Sequence, residues 1–178
     1  CVSGTLGHIL TAVSSGRPFS SAVREAVASG YAEPDPREDL AGRDVARKGL
    51  ILARLMDYRG PLPSPDDLIP RALRGVSRAA FLARLDRYDA IWARRAAAAA
   101  KRGRVLRYVA TATRSSVRVG LIEAPLASPI GALSGTRNLV AFTSRLYHHE
   151  PLVITGPGAG AEVTAAAILN DIQFLALT

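Results

Sequence analysis

At 178 residues, with 48% hydrophobic and 21% charged residues, the chain can bury a core and is too apolar to stay disordered. One cysteine excludes a disulfide framework, and no apolar run reaches the roughly 18 to 20 residues of a membrane-spanning helix. The net charge of +8 is carried by arginines scattered through the middle without interleaved aromatics, which argues for a solvated surface and against a nucleic-acid partner.

No basic leader precedes the first apolar residues, so a cytoplasmic protein is expected. The chain opens on Cys1, its only methionine is Met56, and it starts in mid-pattern; it reads as one part of a larger polypeptide. Leu6, Ile9, Leu10 and Val13 have helical spacing and predict a helix from Gly4 to Ser14 that ends at Ser15-Gly16. A second helix is predicted over 21–29, with a serine N-cap, Glu25 in its early turns and Gly30 as its stop. Residues 31–42 form a loop that Pro34 and Pro36 hold extended.

That loop and the helix predicted over 43–56 carry five carboxylates (Glu33, Asp35, Glu38, Asp39 and Asp44) and an unusual lysine. Of the 23 basic residues, only Lys48 and Lys101 are lysines. At 100° per residue, Ala41, Asp44, Val45, Ile51, Leu52 and Leu55 fall within about 60° of Lys48. The wheel therefore puts Lys48 inside the apolar stripe with Asp44 one turn before it. Two readings stay open: a stem-buried lysine whose head pairs with Asp44, or a lysine that binds or catalyses, since a desolvated lysine can give up a proton and an arginine cannot.

Residues 60–65 are a proline-rich connection. Residues 77–101 are predicted as one long helix with Phe81, Leu82, Leu85, Tyr88, Ile91 and Trp92 on its buried side, and Gly103 ends it. Strands are predicted over 105–112, 116–123, 139–145 and 152–155. The fold class is α+β, helices packed on one mostly antiparallel sheet. His148 and His149, adjacent on a strand, would point to opposite faces, so no metal site is expected. Gly156, Gly158, Gly160 and Ala161 match a G-x-G-x-x-A spacing, but too few residues follow for a dinucleotide fold. The turn either offers backbone N–H groups to an anion or cofactor, or is only a tight strand-to-helix turn. The helix predicted over 163–177 is apolar on most sides and should be covered by another layer.

The stretch AVASGYAEPDPREDLAGRDVARK (26–48), with fixed spacing through Gly30, Asp35-Pro36, Asp39, Gly42, Asp44 and Lys48, closely resembles the signature of homoserine dehydrogenases. Ser3-Gly4-Thr5, Val105 to Val109 and PLVITGPGAGAEVTAA agree, so the resemblance covers nearly the whole chain. The helical stretch after Phe81 resembles the form fused behind an aspartate kinase. Glu38 and Ala32 depart from the commoner Asp and Thr and remove no functional group.

The resemblance implies an enzyme that interconverts L-homoserine and L-aspartate 4-semialdehyde with NADP or NAD. It also implies a homo-oligomer, a Rossmann nucleotide half missing from this chain and an aspartate kinase region as a further partner. Residues 1–15 would be the tail of the nucleotide domain, 16–150 the homoserine-binding and dimerisation domain, and 151–178 a glycine turn and helix returning to the nucleotide domain. Carried over by resemblance, Lys48 is the catalytic lysine. Glu33, Asp39 and Asp44 hold homoserine, Gly4, Thr5 and Tyr31 shape its site, and Gly158 and Gly160 lie beside the cofactor. The alternative is a non-catalytic dimerisation or regulatory remnant of such an enzyme.

Overall fold

A computed structural model describes residues 1–158 and 161–177. Helix α1 (Gly4–Ser14) lies at the centre. Its predicted apolar residues Leu6, Ile9, Leu10 and Val13 are all buried, and Ser3 caps it by accepting the Leu6 N–H at 3.2 Å. Helix α2 (Phe19–Ala28) packs along α1. It starts two residues earlier than predicted and has no serine cap of its own. Phe19 is fully buried and stacks on Trp92 at 4.7 Å between ring centroids, which draws the helix start upstream. The orphan N–H of Ser20 is instead taken by Asp89, with Ser20 N to Oδ1 and Ser20 Oγ to Oδ2 both 2.7 Å.

The loop after α2 is not wholly extended. Pro36 sits in helical geometry and opens a short helix, α3 (Arg37–Leu40), which runs into α4 (Arg43–Arg54). The long helix expected over 77–101 is broken. Helix α5 (Arg78–Arg84) passes through a 3-10 turn at Leu85–Tyr88 into α6 (Asp89–Ala100). The break lets Phe81, Leu85, Trp92 and Ala99 all reach the core, whereas Ile91 of the expected stripe is left exposed.

Strands β1 (Arg104–Ala112) and β2 (Val117–Pro125) pair antiparallel, and β3 (Arg137–Phe142) and β4 (Leu152–Pro157) form a second antiparallel pair. The single sheet expected is therefore two, with a short helix, α7 (Pro129–Ala132), between them in sequence. On β1, Leu106, Tyr108 and Ala110 face the helices, and α1, α4 and α6 cover that side. Arg107 points the other way and is buried, with 5% of its surface exposed. Its guanidinium donates to the carbonyls of Leu106, Ile130, Gly131 and Leu133 at 2.6–3.2 Å, which fastens α7 to β1. Burial pulls the Arg107 pKa down from its usual value.

Helix α8 (Ala161–Leu177) follows β4. Ile168, Leu169, Ile172, Phe174, Leu175 and Leu177 on it are all more than half exposed. No helix among the described residues is long and apolar enough to cross a membrane.

Candidate functional site

The first residues run beside β3. Cys1 N donates to the Leu139 carbonyl at 2.9 Å, and Leu139 N donates back to the Cys1 carbonyl at 2.8 Å. Backbone groups alternate in direction along an extended chain, so the next carbonyl, that of Val2, turns away from β3. It accepts from Lys48 Nζ at 3.2 Å. Nζ also lies 2.8 Å from Asp44 Oδ2, one helical turn back.

Lys48 is not where the wheel placed it. Its side chain is 45% exposed, and that of Asp44 is 59% exposed. The buried face of α4 is Val45, Ala46, Gly49 and Ala53. Gly49, at the middle of that face, comes so close to β1 that an added Cβ would sit 2.9 Å from the Ala110 Cβ. Close approach through small residues, rather than burial of the large Ile51 and Leu55, sets the orientation of α4; those two stay 62% and 80% exposed. The ammonium is consequently open to a ligand while held from two sides.

The acidic loop is organised by its own side chains. Asp39 Oδ2 accepts the Glu33 N–H at 2.9 Å, so Asp39 shapes the loop backbone and leaves the Glu33 carboxylate exposed. Asp35 is committed elsewhere. Arg37 donates to it from Nε at 2.9 and 3.1 Å and from a terminal nitrogen at 2.5 Å, and this guanidinium holds the Asp35 carboxyl below the usual aspartate range. Arg37 also donates to the carbonyls of Arg74 and Val76 at 3.2 and 2.7 Å and lies over the Phe81 ring, which pins the loop to the α5 region.

Two sequence-predicted residues turn out to support this loop. Thr5 is 4% exposed, and its hydroxyl donates to the Tyr31 carbonyl at 2.6 Å. The hydroxyl proton is spent on the loop, so Thr5 positions Tyr31 and offers no donor to a substrate. The Tyr31 ring is half exposed and lies 5.2 Å from the His8 ring. Gly4, in the first turn of α1, faces the turn before β3, where an added Cβ would come 3.3 Å from the Thr136 carbonyl oxygen.

Gly42 joins the loop to α4. It has φ of 68°, and a Cβ there would fall 1.9 Å from Tyr108 Oη. Tyr108 Oη donates to the Asp66 carbonyl at 2.6 Å. Burial, and then the charges of Asp66 and Asp67, push its phenol pKa above the usual value. Tyr108, Arg37 and the Val2 carbonyl are parts of the site architecture that sequence reasoning did not single out. No local pattern marks them, because each acts on a segment distant in the chain.

At the same end of β3, Asn138 pairs across from Gly156. Its side chain fills the space over Gly158, where an added Cβ would fall 1.5 Å from Nδ2. Gly158 is exposed, and Gly160 lies outside the described residues. His148 and His149 fall after β3 rather than on a strand, with ring centroids 3.9 Å apart. Among the described residues no group of three or more His, Cys, Asp or Glu could hold a metal ion.

The structure thus brings Lys48, Asp44 and the Val2 carbonyl into direct contact, and Glu33, Asp39, Tyr31 and Thr5 into one hydrogen-bonded loop. Asp39 and Asp44 flank the Gly42 turn, where Gly42 N donates to the Asp39 carbonyl at 2.9 Å. Such an arrangement offers a solvent-reachable ammonium as proton donor and exposed carboxylates that can hold a second ammonium.

The α+β fold is shared with solved proteins of known class. The family description "Homoserine dehydrogenase" matches residues 1–173. The chain belongs to the homoserine dehydrogenase family. It is 45% identical over 179 residues to the chloroplastic bifunctional aspartokinase/homoserine dehydrogenase of Daucus carota, covering 98% of this chain and 19% of that protein. It is 39% identical over 185 residues to the homoserine dehydrogenase of Emericella nidulans, covering 96% of this chain and 50% of that protein. Among solved structures, a Candida auris protein of unknown function aligns with a TM-score of 0.90 at 38% identity, over 98% of this chain and 51% of that one. A Thiobacillus denitrificans homoserine dehydrogenase aligns with a TM-score of 0.69 at 27% identity, over 96% of this chain and 36% of that one. The chain therefore spans between 19% and 51% of the length of these relatives.

Proposed function

We propose that this chain is the homoserine-binding and proton-transferring part of a homoserine dehydrogenase, which interconverts L-homoserine and L-aspartate 4-semialdehyde with NAD or NADP. The observation that carries the reading is Lys48 Nζ, half exposed and fastened by Asp44 Oδ2 and the Val2 carbonyl beside the acidic loop. In the reductive direction the Lys48 ammonium gives a proton to the aldehyde oxygen as that oxygen gains charge. In the oxidative direction the neutral amine takes the hydroxyl proton back. A bound nicotinamide nucleotide supplies or accepts the hydride at the same carbon. Asp44 holds the ammonium in place, which keeps the transferable proton aimed. The exposed Glu33 carboxylate, set by Asp39, suits the substrate α-ammonium. Gly4, Thr5 and Tyr31 form the frame of that pocket. Gly158, exposed at the end of β4, and the adjoining Gly160 are the positions proposed to face the nucleotide.

In the full-length protein, Lys48→Ala lowers kcat by about 10²- to 10⁴-fold, the span of a general acid, with nucleotide affinity within about twofold of wild type. Lys48→Arg is equally poor, because a guanidinium keeps its proton. Near-normal turnover of Lys48→Ala would overturn the role of Lys48, and absence of turnover in the wild-type protein would favour a non-catalytic remnant.

A further inference from the structure

His8 is a titratable group that the chemistry above leaves unused. Its side chain is 14% exposed, and its Nε2 is buried without a hydrogen-bond partner. A phenylalanine would fill the same place without leaving a polar atom unpaired, so packing alone does not account for a histidine here. Two groups stand against the ring. The Tyr31 ring lies 5.2 Å away between centroids, tilted by 54°. Glu25 Oε1, on α2, lies 3.6 Å from Nε2, just beyond hydrogen-bond reach. The second carboxylate oxygen of Glu25 accepts from Arg17, whose guanidinium holds that carboxyl below the usual range, so Glu25 faces His8 as an anion. Glu25, Arg17 and Tyr31 are thus the titratable and charged groups in contact with the ring or with its carboxylate neighbour.

His8 also stands one turn from Thr5 on α1. Thr5 holds the Tyr31 carbonyl and His8 meets the Tyr31 side chain, so α1 touches this residue at both its backbone and its ring. The Tyr31 ring is half exposed beside the acidic loop. A neutral imidazole is only weakly attracted to Glu25 and rests on Tyr31. A charged imidazolium is drawn to the carboxylate, and 3.6 Å leaves room to close to a charge-assisted bond.

We propose that His8 is a positioning residue that holds the Tyr31 ring against the homoserine pocket, and that its protonation, by drawing it onto Glu25, loosens that hold. The proposal rests on the dehydrogenase reading, in which Tyr31 frames the substrate site. It makes substrate affinity, and not the chemical step, sensitive to acid.

The test is the KM for L-homoserine of the full-length protein from pH 8 to pH 6, with saturating oxidised nucleotide. The ratio of wild-type KM to that of His8→Phe rises about fivefold over this range, the worth of one ring contact, while their kcat values stay equal. The Phe ring keeps the contact and takes no charge, and titration of the substrate and of Lys48 is common to both proteins and cancels in the ratio. Glu25→Gln, of the same size and without charge, gives the same comparison without touching the core. At pH 8, His8→Ala, with no ring, raises KM about fivefold and keeps kcat. A ratio that is constant or falls towards pH 6 overturns the proposal, as does an unchanged KM in His8→Ala at pH 8. Absence of homoserine oxidation by wild type overturns instead the dehydrogenase reading.

Discussion

Arg37 shows how one side chain can secure a binding loop. It neutralises Asp35, caps two carbonyls and covers Phe81. Asp35 is thus a structural member of an acidic cluster in which the Glu33 carboxylate stays exposed, a division that composition could not make. Because the folded Asp35 pKa is depressed, the pair adds stability above the ordinary aspartate value of about 3.9 and loses it as pH falls through the lower folded value. Asp35→Asn is expected to cost about 1 kcal/mol at pH 7, a charged hydrogen bond discounted for partial exposure. Urea titrations from pH 7 down to pH 2 check it, and a difference that persists unchanged at pH 2 would contradict it. Lys48 shows both what was legible and what was not. Its singularity among arginines was readable in the sequence. Its exposure was not, because the wheel weighted Ile51 and Leu55, whereas Ala46, Gly49 and Ala53 face the sheet.

At the scale of an element, α4 is set by its first residue and by what stands behind it. Gly42 takes a left-handed backbone, and Tyr108 Oη fills the place of its side chain. Gly42→Ala therefore meets both strain and a clash, and is expected to lower stability by about 2 kcal/mol or more. Tyr108→Phe keeps the ring and loses the bond to the Asp66 carbonyl, for about 1 kcal/mol. Shifts in the urea midpoint measure both, and a Gly42→Ala change no larger than that of Tyr108→Phe would contradict the steric argument. Helix α1 was legible because it sets one face of regular period against the core, and the strands because their runs of branched and apolar residues lie between turn signals. The break at Leu85–Tyr88 was not. A continuous helical pattern in sequence carries no sign that the chain must bend to follow α2 around the core.

For the molecule as a whole, the class was readable and the layering was not. The strand pattern does not say which strands pair, so two hairpins were read as one sheet. The apolar surface of α8 was legible, and Ile168, Leu169, Ile172 and Leu177 on it stay more than half exposed. The same blindness to distance hid the cap on α2, since Asp89 lies 69 residues beyond Ser20. That cap bears on the order of folding. With no local cap, α2 cannot complete its first turn until α6 has been brought to it, and closing so long a loop comes at an entropic cost before any bond repays it. The Ser20–Asp89 bonds are therefore expected to form after the rate-limiting step. Asp89→Ala should speed unfolding by roughly tenfold, the kinetic equivalent of a lost cap, and leave the refolding rate nearly unchanged. Equal slopes with a slowed refolding arm would instead place α2 and α6 together in the nucleus, making a contact between residues 69 apart the one that starts the helical layer.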